Sequence, residues 1–128
     1  MSSSDPGKLV KVATTVDFIE EQSDSYQHRF VFSYTITIEN NSDLTLQLMS
    51  RSWLITDANG QQVSVEGDGV VGQQPILQPG QRYRYSSGSI IKTPIGTMEG
   101  FYTMQDMDNQ HYRVDIPVFS LAVPNVVN

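Results

Sequence analysis

A chain of 128 residues, 38 % of them apolar, has the size of one domain and enough apolar material for a single core. Its 14 acidic side chains against 8 basic ones give a formal charge of −6, which repels phosphate backbones and argues against nucleic acid as a partner. The absence of cysteine excludes disulfides and thiolate metal sites, and no stretch approaches the roughly 20 apolar residues that cross a bilayer, so no membrane partner is expected.

The chain starts Met1-Ser2-Ser3-Ser4-Asp5-Pro6-Gly7, without the cationic and apolar regions of a secretory signal. The expectation is a cytoplasmic protein with a disordered tail over 1–7, a domain over 8–124 and a frayed end over 125–128. From Val10 to Phe18 the apolar side chains recur at every second position, the period of a strand, and the polar run Glu20 to Ser25 reads as a loop. Arg29 to Asn40 is the clearest strand, with Phe30, Phe32, Tyr34, Ile36 and Ile38 on one face.

Asn40-Asn41-Ser42-Asp43 favours an Asx-type reversal into a strand from Leu44. The alternation Leu44, Leu46, Leu48 loses its parity before Trp53 and Ile55, which predicts a bulge or a switch of sheets rather than one straight strand. Asn59-Gly60 predicts a hairpin into the strand of Val63 and Val65. Pro79-Gly80 makes a further turn, and Arg82 to Tyr85 alternates until Ser86-Ser87-Gly88-Ser89 interrupts. After the turn at Pro94, Met98, Tyr102 and Met104 share a face. The last strand runs from Tyr112 through Val123, broken or placed on an edge by Pro117. Seven to nine short strands with no helical period predict an all-β fold, an antiparallel β-sandwich of immunoglobulin or fibronectin-III type. Trp53 falls where such sandwiches carry an aromatic plug.

Chemistry-bearing motifs are few. Gly67, Gly69 and Gly72 match GxGxxG, the spacing that lets backbone N–H groups approach a pyrophosphate. The prolines at 75 and 79 leave no room for the helix whose N-terminus would attract the anion, and Asp68 opposes it. Two readings stand: a nest of N–H groups assisted by Arg51, Arg82 or Arg84, or a tight connection whose glycines supply positive φ. The second is favoured.

A divalent cation would have to use Asp57, Glu66 and Asp68, or Asp106 and Asp108, and neither set has the pattern of a calcium loop. His28 and His111 stand alone in the sequence, so no metal and no cofactor is expected. No GxSxG elbow, cysteine nucleophile or acid and base pair is present, which predicts a protein that is not an enzyme. Trp53, Tyr83 and Tyr85 are the aromatic candidates for partner contact, with cross-strand packing as the plainer role for the tyrosines.

Several ordered blocks together resemble one known family. They are Tyr34-Thr35-Ile36-Thr37-Ile38, Arg51-Ser52-Trp53-Leu54-Ile55-Thr56-Asp57-Ala58-Asn59-Gly60, Gly67 to Pro75, Leu77-Gln78-Pro79-Gly80, Tyr85-Ser86-Ser87-Gly88, Thr93-Pro94-Ile95-Gly96-Thr97-Met98 and Ile116-Pro117. Their order is that of the ApaG (CorD) family, over roughly Val10 to Pro124. The resemblance implies a fibronectin-III-like sandwich in a bacterial protein. It links the chain by name with cobalt and magnesium handling and by gene neighbourhood with diadenosine tetraphosphate hydrolysis, while related eukaryotic domains look like partner-binding modules. This chain has Ser52 where the family usually has histidine and Gln73 where it often has glutamate, so roles needing those groups do not transfer.

The expectation is therefore a non-catalytic module for protein–protein interaction with an unidentified partner. The alternative is a binder of pyrophosphate or nucleotide anions, or a part in Co²⁺/Mg²⁺ homeostasis, through the glycine-rich loop. A homodimer through sheet edges is a further expectation.

Overall fold

A computed structural model describes residues 5–124 of the chain. Its strands are β1 (Val10–Phe18), β2 (Phe30–Asn40), β3 (Leu46–Asp57), β4 (Gln62–Asp68), β5 (Ile76–Leu77), β6 (Arg82–Ile91), β7 (Ile95–Gln105) and β8 (His111–Ala122). They form two antiparallel sheets, one ordered β1-β2-β6 and the other β4-β3-β7-β8, with the short β5 added to β3. The expected sandwich is the observed one. No helix among the described residues is long and apolar enough to cross a membrane.

Period-two burial explains how the sheets face each other. The inner face of β2 buries Phe32, Tyr34, Ile36 and Ile38, and the second sheet answers with Leu46, Leu48, Trp53, Met98, Tyr102, Met104, Val114, Ile116 and Leu121. Trp53 packs edge-on against Tyr34 and Phe119, with ring centroids 5.6 and 5.9 Å away, and is the aromatic plug its position suggests. Opposite it on β7 stands Gly100, where a Cβ would lie 1.9 Å from the Ser52 carbonyl oxygen; only glycine permits this approach of β3 and β7.

Two parity changes in the sequence are bulges. The register of β3 against β7 shifts between Leu48 and Ser50, so β3 continues as one strand while its inward positions pass from even to odd numbers. Along β8, Ile116 opposes Gly100 and Phe119 opposes Met98, leaving Pro117 and Val118 together opposite Glu99. Pro117 thus sits in a bulge on an edge strand, where a missing N–H costs the ladder nothing. The expected interruption at Ser86 to Ser89 is absent: β6 runs unbroken because each of these small residues pairs with β2, Ser86 with Thr35 through to Ser89 with Phe32.

The two sides of the sandwich differ. On one side β1 and β8 pack together, and a 3₁₀ turn at Pro6–Leu9 seals them. Asp5 caps that turn by accepting the Gly7 N–H at 2.9 Å, and Gly7 is buried so tightly that a Cβ would meet the Arg113 carbonyl oxygen at 2.3 Å. Asp5, Pro6 and Gly7 of the expected tail 1–7 thus take part in this turn; Met1 to Ser4, and the expected frayed end 125–128, lie outside the described residues. On the other side, β4 and β6 leave an opening of about 160 Å³ lined by Ile55, Asp57, Gln61, Val63, Ile90, Ile91 and Lys92.

Asn40, at the end of β2, is fully buried with its amide completely engaged. Its Nδ2 donates to the carbonyls of Leu44 at 2.8 Å and Leu77 at 2.9 Å, and its Oδ1 accepts from Ser42 N at 3.0 Å and Ser42 Oγ at 2.6 Å. Asn40→Asp replaces the donating NH₂ by an acceptor that faces two carbonyls. Urea unfolding should register a loss of at least about 2 kcal/mol; an unchanged midpoint would remove this amide from the account of the fold.

Candidate functional site

The glycine-rich loop follows from the way β4 ends. Gly69, at φ 62°, donates its N–H to the Met49 carbonyl at 2.8 Å, and the buried Val70 then starts a tight hairpin with Gln73. Val70 and Gln73 exchange hydrogen bonds of 2.8 and 2.9 Å around Val71 and Gly72, whose φ values of 48° and 77° are those of a type I′ turn. Each glycine has its own structural reason. At Gly69 a Cβ would lie 2.2 Å from the Gln73 carbonyl oxygen, at Gly72 only the positive φ matters, and at Gly67 a Cβ would press on the Arg51 guanidinium at 2.9 Å.

Arg51 lies across Gly67 and donates from Nη1 to the carbonyls of Asp68 at 3.0 Å and Gly69 at 2.9 Å, so its charge is held by the loop's own backbone. Arg82 is elsewhere, on the first sheet, where its Nε donates to Glu39 Oε2 at 2.9 Å and holds that carboxyl below the usual range. Of the candidate anion-binding residues, the structure thus groups Gly67, Gly69, Gly72 and Arg51 and leaves Arg82 out. The N–H groups of Gly69, Val70 and Gln73 are donated within the protein. The shallow depression beside the loop is lined by Ser50, Arg51, Ser52, Glu66, Gly67, Asp68 and Phe101, so two carboxylates border the site where an anion would sit.

The acidic candidates are turn builders. Asp57 Oδ1 accepts the N–H groups of Asn59 at 2.9 Å and Gln61 at 3.0 Å. Asp106 accepts from the N–H groups of Gln110 and Asp108 and from the Tyr112 hydroxyl, all within 2.9 Å, and these bonds, that of Gln110 foremost, hold its carboxyl below the usual range. Among the described residues no three His, Asp or Glu side chains converge as metal ligands. His28 ends a 3₁₀ turn at φ 53°, and His111 Nε2 bonds Gln105 Oε1 at 2.8 Å.

The aromatic candidates point inward. Trp53 and Tyr85 are buried and Tyr83 is half-buried, with the two tyrosine rings 6.2 Å apart, so they pack the sandwich and present no stacking platform to solvent. The hydroxyls of Tyr85, on the first sheet, and Tyr102, on the second, are hydrogen-bonded to each other across the core. Burial pushes both phenols, and that of Tyr34 beside them, above the usual range, with the Arg51 charge acting weakly in the opposite direction. On the outer face of the second sheet the Arg113 guanidinium stacks over Phe101 at 3.9 Å, a pair that no spacing in the sequence announces, because it joins neighbouring strands.

Two measurements separate structural roles from ligand roles here. Val71 is a β-branched residue in the left-handed region, so Val71→Asn should stabilise the protein by about 1 kcal/mol. Gly69→Ala should destabilise it by roughly 2 kcal/mol or more and Gly72→Ala by about 1 kcal/mol, an order that equal stabilities in urea would refute. For the tyrosine pair, Tyr102→Phe leaves the Tyr85 hydroxyl buried and unpaired, a loss of about 1–3 kcal/mol. The double change of both tyrosines to Phe should recover most of that loss in a double-mutant cycle, and additive single effects would deny the coupling.

Comparison with known proteins agrees with this architecture. The family model described as the ApaG domain (DUF525) matches residues 20–106. The chain is 51 % identical over 128 residues to Protein ApaG of Vibrio vulnificus strain YJ016, covering 100 % of both chains. It is 49 % identical over 120 residues to Protein ApaG of Proteus mirabilis, covering 92 % of this chain and 96 % of that one. A Bordetella pertussis structure provisionally named ApaA protein superposes with a TM-score of 0.88 at 42 % identity, over 91 % of this chain and 95 % of that one. With the family model over most of its length and relatives at half identity from end to end, this chain belongs to the ApaG family.

Proposed function

We propose that this protein is a non-catalytic interaction module that takes up an extended segment of a protein partner along the open side of the sandwich, between β4 and β6. The observation that carries this reading is the character of β4. It is an edge strand of seven residues without lysine, proline or bulge, three of the devices by which natural edges avoid pairing, and its two acids both lie on the outer face. Its inward positions Val63 and Val65 are 58 % and 38 % exposed, and at the rim of the opening Ile90 of β6 is 54 % exposed. A strand added here gains main-chain hydrogen bonds from the edge and covers these aliphatic groups.

The chemistry of the partner follows from the two faces of β4. Toward the core side it needs small or aliphatic side chains to meet Val63 and Val65. Toward the outer side it must not set acids directly opposite Glu66 and Asp68, which stand there with Ser50 and Ser52. The glycine-rich loop does not favour the alternative, an anion or a divalent cation: the donors named above are engaged, and among the described residues its acids have no third converging ligand.

A photo-crosslinking amino acid at position 63 or 90, with position 99 on the outer face as control, tests the reading in living cells. Adducts are expected from 63 and 90 and not from 99, and Ser64→Pro should diminish them. No adduct from either position, together with heat on titrating pyrophosphate or Mg²⁺ into the protein, would replace the interaction reading with the ligand one.

A further inference from the structure

The hydrogen-bonding phase of β4 can be read from its two ends. Asp57 N donates to Gln61 O at 3.0 Å and Gly69 N to Met49 O at 2.8 Å, so both pairs are hydrogen-bonded pairs of the β3–β4 ladder. Hydrogen-bonded and non-bonded pairs alternate along an antiparallel ladder. Between those ends the residues that turn N–H and C=O toward β3 are therefore Val63, Val65 and Gly67, whose partners are Ile55, Trp53 and Arg51. Gln62, Ser64, Glu66 and Asp68 turn theirs away from β3, toward the open edge. Arg51 reaches the Asp68 carbonyl at 3.0 Å from outside the ladder, as this phase requires.

We propose that the partner at this edge is a second copy of the same chain, paired antiparallel through β4 about a two-fold axis at Val65; the inference rests on the reading of β4 as the docking edge. In this register Ser64 pairs with Glu66 of the second copy and Glu66 with its Ser64, both as hydrogen-bonded pairs. Gln62 falls opposite Asp68 of the second copy, whose carbonyl has a lone pair left beside Arg51. All outward-turned residues of the strand find a partner. On the outer face each carboxylate meets a neutral polar side chain, and the Ser64 hydroxyl can donate to the Glu66 carboxylate. On the inner face Val65 covers Val65, and Val63 lies beside Gly67, which offers no side chain to collide with.

The neighbouring registers with the same phase are worse. Centring on Ser64 leaves Asp68 beyond the pairing, and centring on Glu66 sets two carboxylates of a protein with charge −6 directly opposite each other. The strand is thus self-complementary in one register, as a two-fold interface demands. It also joins the β4-containing sheets of the two copies into one continuous sheet and removes both β4 edges from solvent.

Sedimentation equilibrium of the full chain over a range of concentrations tests this, with thermal melts to establish that each variant folds. The wild type is expected to move from 14.3 kDa toward twice that mass as concentration rises. Ser64→Glu sets like charges opposite each other at both symmetry-related pairs and should raise the dimer dissociation constant about tenfold. The combined variant Ser64→Glu, Glu66→Lys restores opposite charges in the same register and should bring the dimer back. A wild type that stays monomeric throughout, or a dimer indifferent to Ser64→Glu, overturns the proposal. In either case crosslinks from positions 63 and 90 to a different protein would leave the wider interaction reading standing, whereas no crosslink of any kind from these positions would remove both.

Discussion

Asn40 is the point on which the two sheets are hung. A fully buried amide has two donors and two acceptor sites, and here all of them are met: the Leu44 and Leu77 carbonyls take the donors, and Ser42 supplies an N–H and a hydroxyl. Because Asn40 belongs to β2 and Leu77 to β5, the amide ties the end of the first sheet to the far edge of the second. Its backbone adds to this, with Asn40 N donating to Gln81 O at 3.0 Å and accepting from Gly80 N at its own carbonyl. The positions of β5, of the Pro79-Gly80 turn and of the start of β6 thus depend on one residue. Leaving any of these groups unpaired inside the sandwich would cost more than the bonds themselves contribute.

The location of the open side follows from that constraint. With β5 held against Leu46 and Gln47 of β3, the chain between β4 and β5 has only the Gly69 to Pro75 segment in which to reverse. The result is a hairpin that tolerates a valine in the left-handed region, with Arg51 closing over its carbonyls. Features that resemble a phosphate fingerprint in one dimension are, in three, the means of turning the chain between two short strands. They leave β4 exposed along its length, while the opposite side is sealed by Gly7 against Arg113. The opening with its exposed aliphatic groups is therefore on one side of the molecule.

The tyrosine pair performs a related task. Tyr85 and Tyr102 come from different sheets, and each hydroxyl satisfies the other in a core that is otherwise aliphatic and aromatic. A paired polar contact of this kind adds little net stability but penalises sliding of one sheet over the other, since any slip would bury two unpaired hydroxyls. Together with Gly100, which admits only one approach of β3 to β7, it fixes how the sheets face each other and hence which aliphatic groups remain at the opening.

Strands and their inward faces were legible in the sequence because burial imposes a period of two on side chains, and Phe32 to Ile38 or Met98 to Met104 carry that period plainly. So were the bulge at Met49, visible as a change of parity, the edge position of the strand with Pro117, and the turns, where proline, glycine and asparagine act locally. The role of the glycine-rich loop was legible only in part: the prolines ruled out a following helix, but nothing in the spacing says that Arg51 lies over Gly67 or that Arg82 is bound to Glu39 on the other sheet. Trp53 and Tyr85 are aromatic in any reading, and whether they face a partner or the core depends on which strands become neighbours. The continuity of β6 through its serines likewise came from pairing with β2, not from its own propensity. What the sequence by itself determined is most of the strands, the alternation that gives each of them an apolar face, and the family to which the blocks point, since alternation and turn formation rest on residues near in the chain. What the tertiary structure decided is which arginines and acids meet, which edge stays open and which backbone groups face outward there, because each depends on the register between strands far apart in sequence.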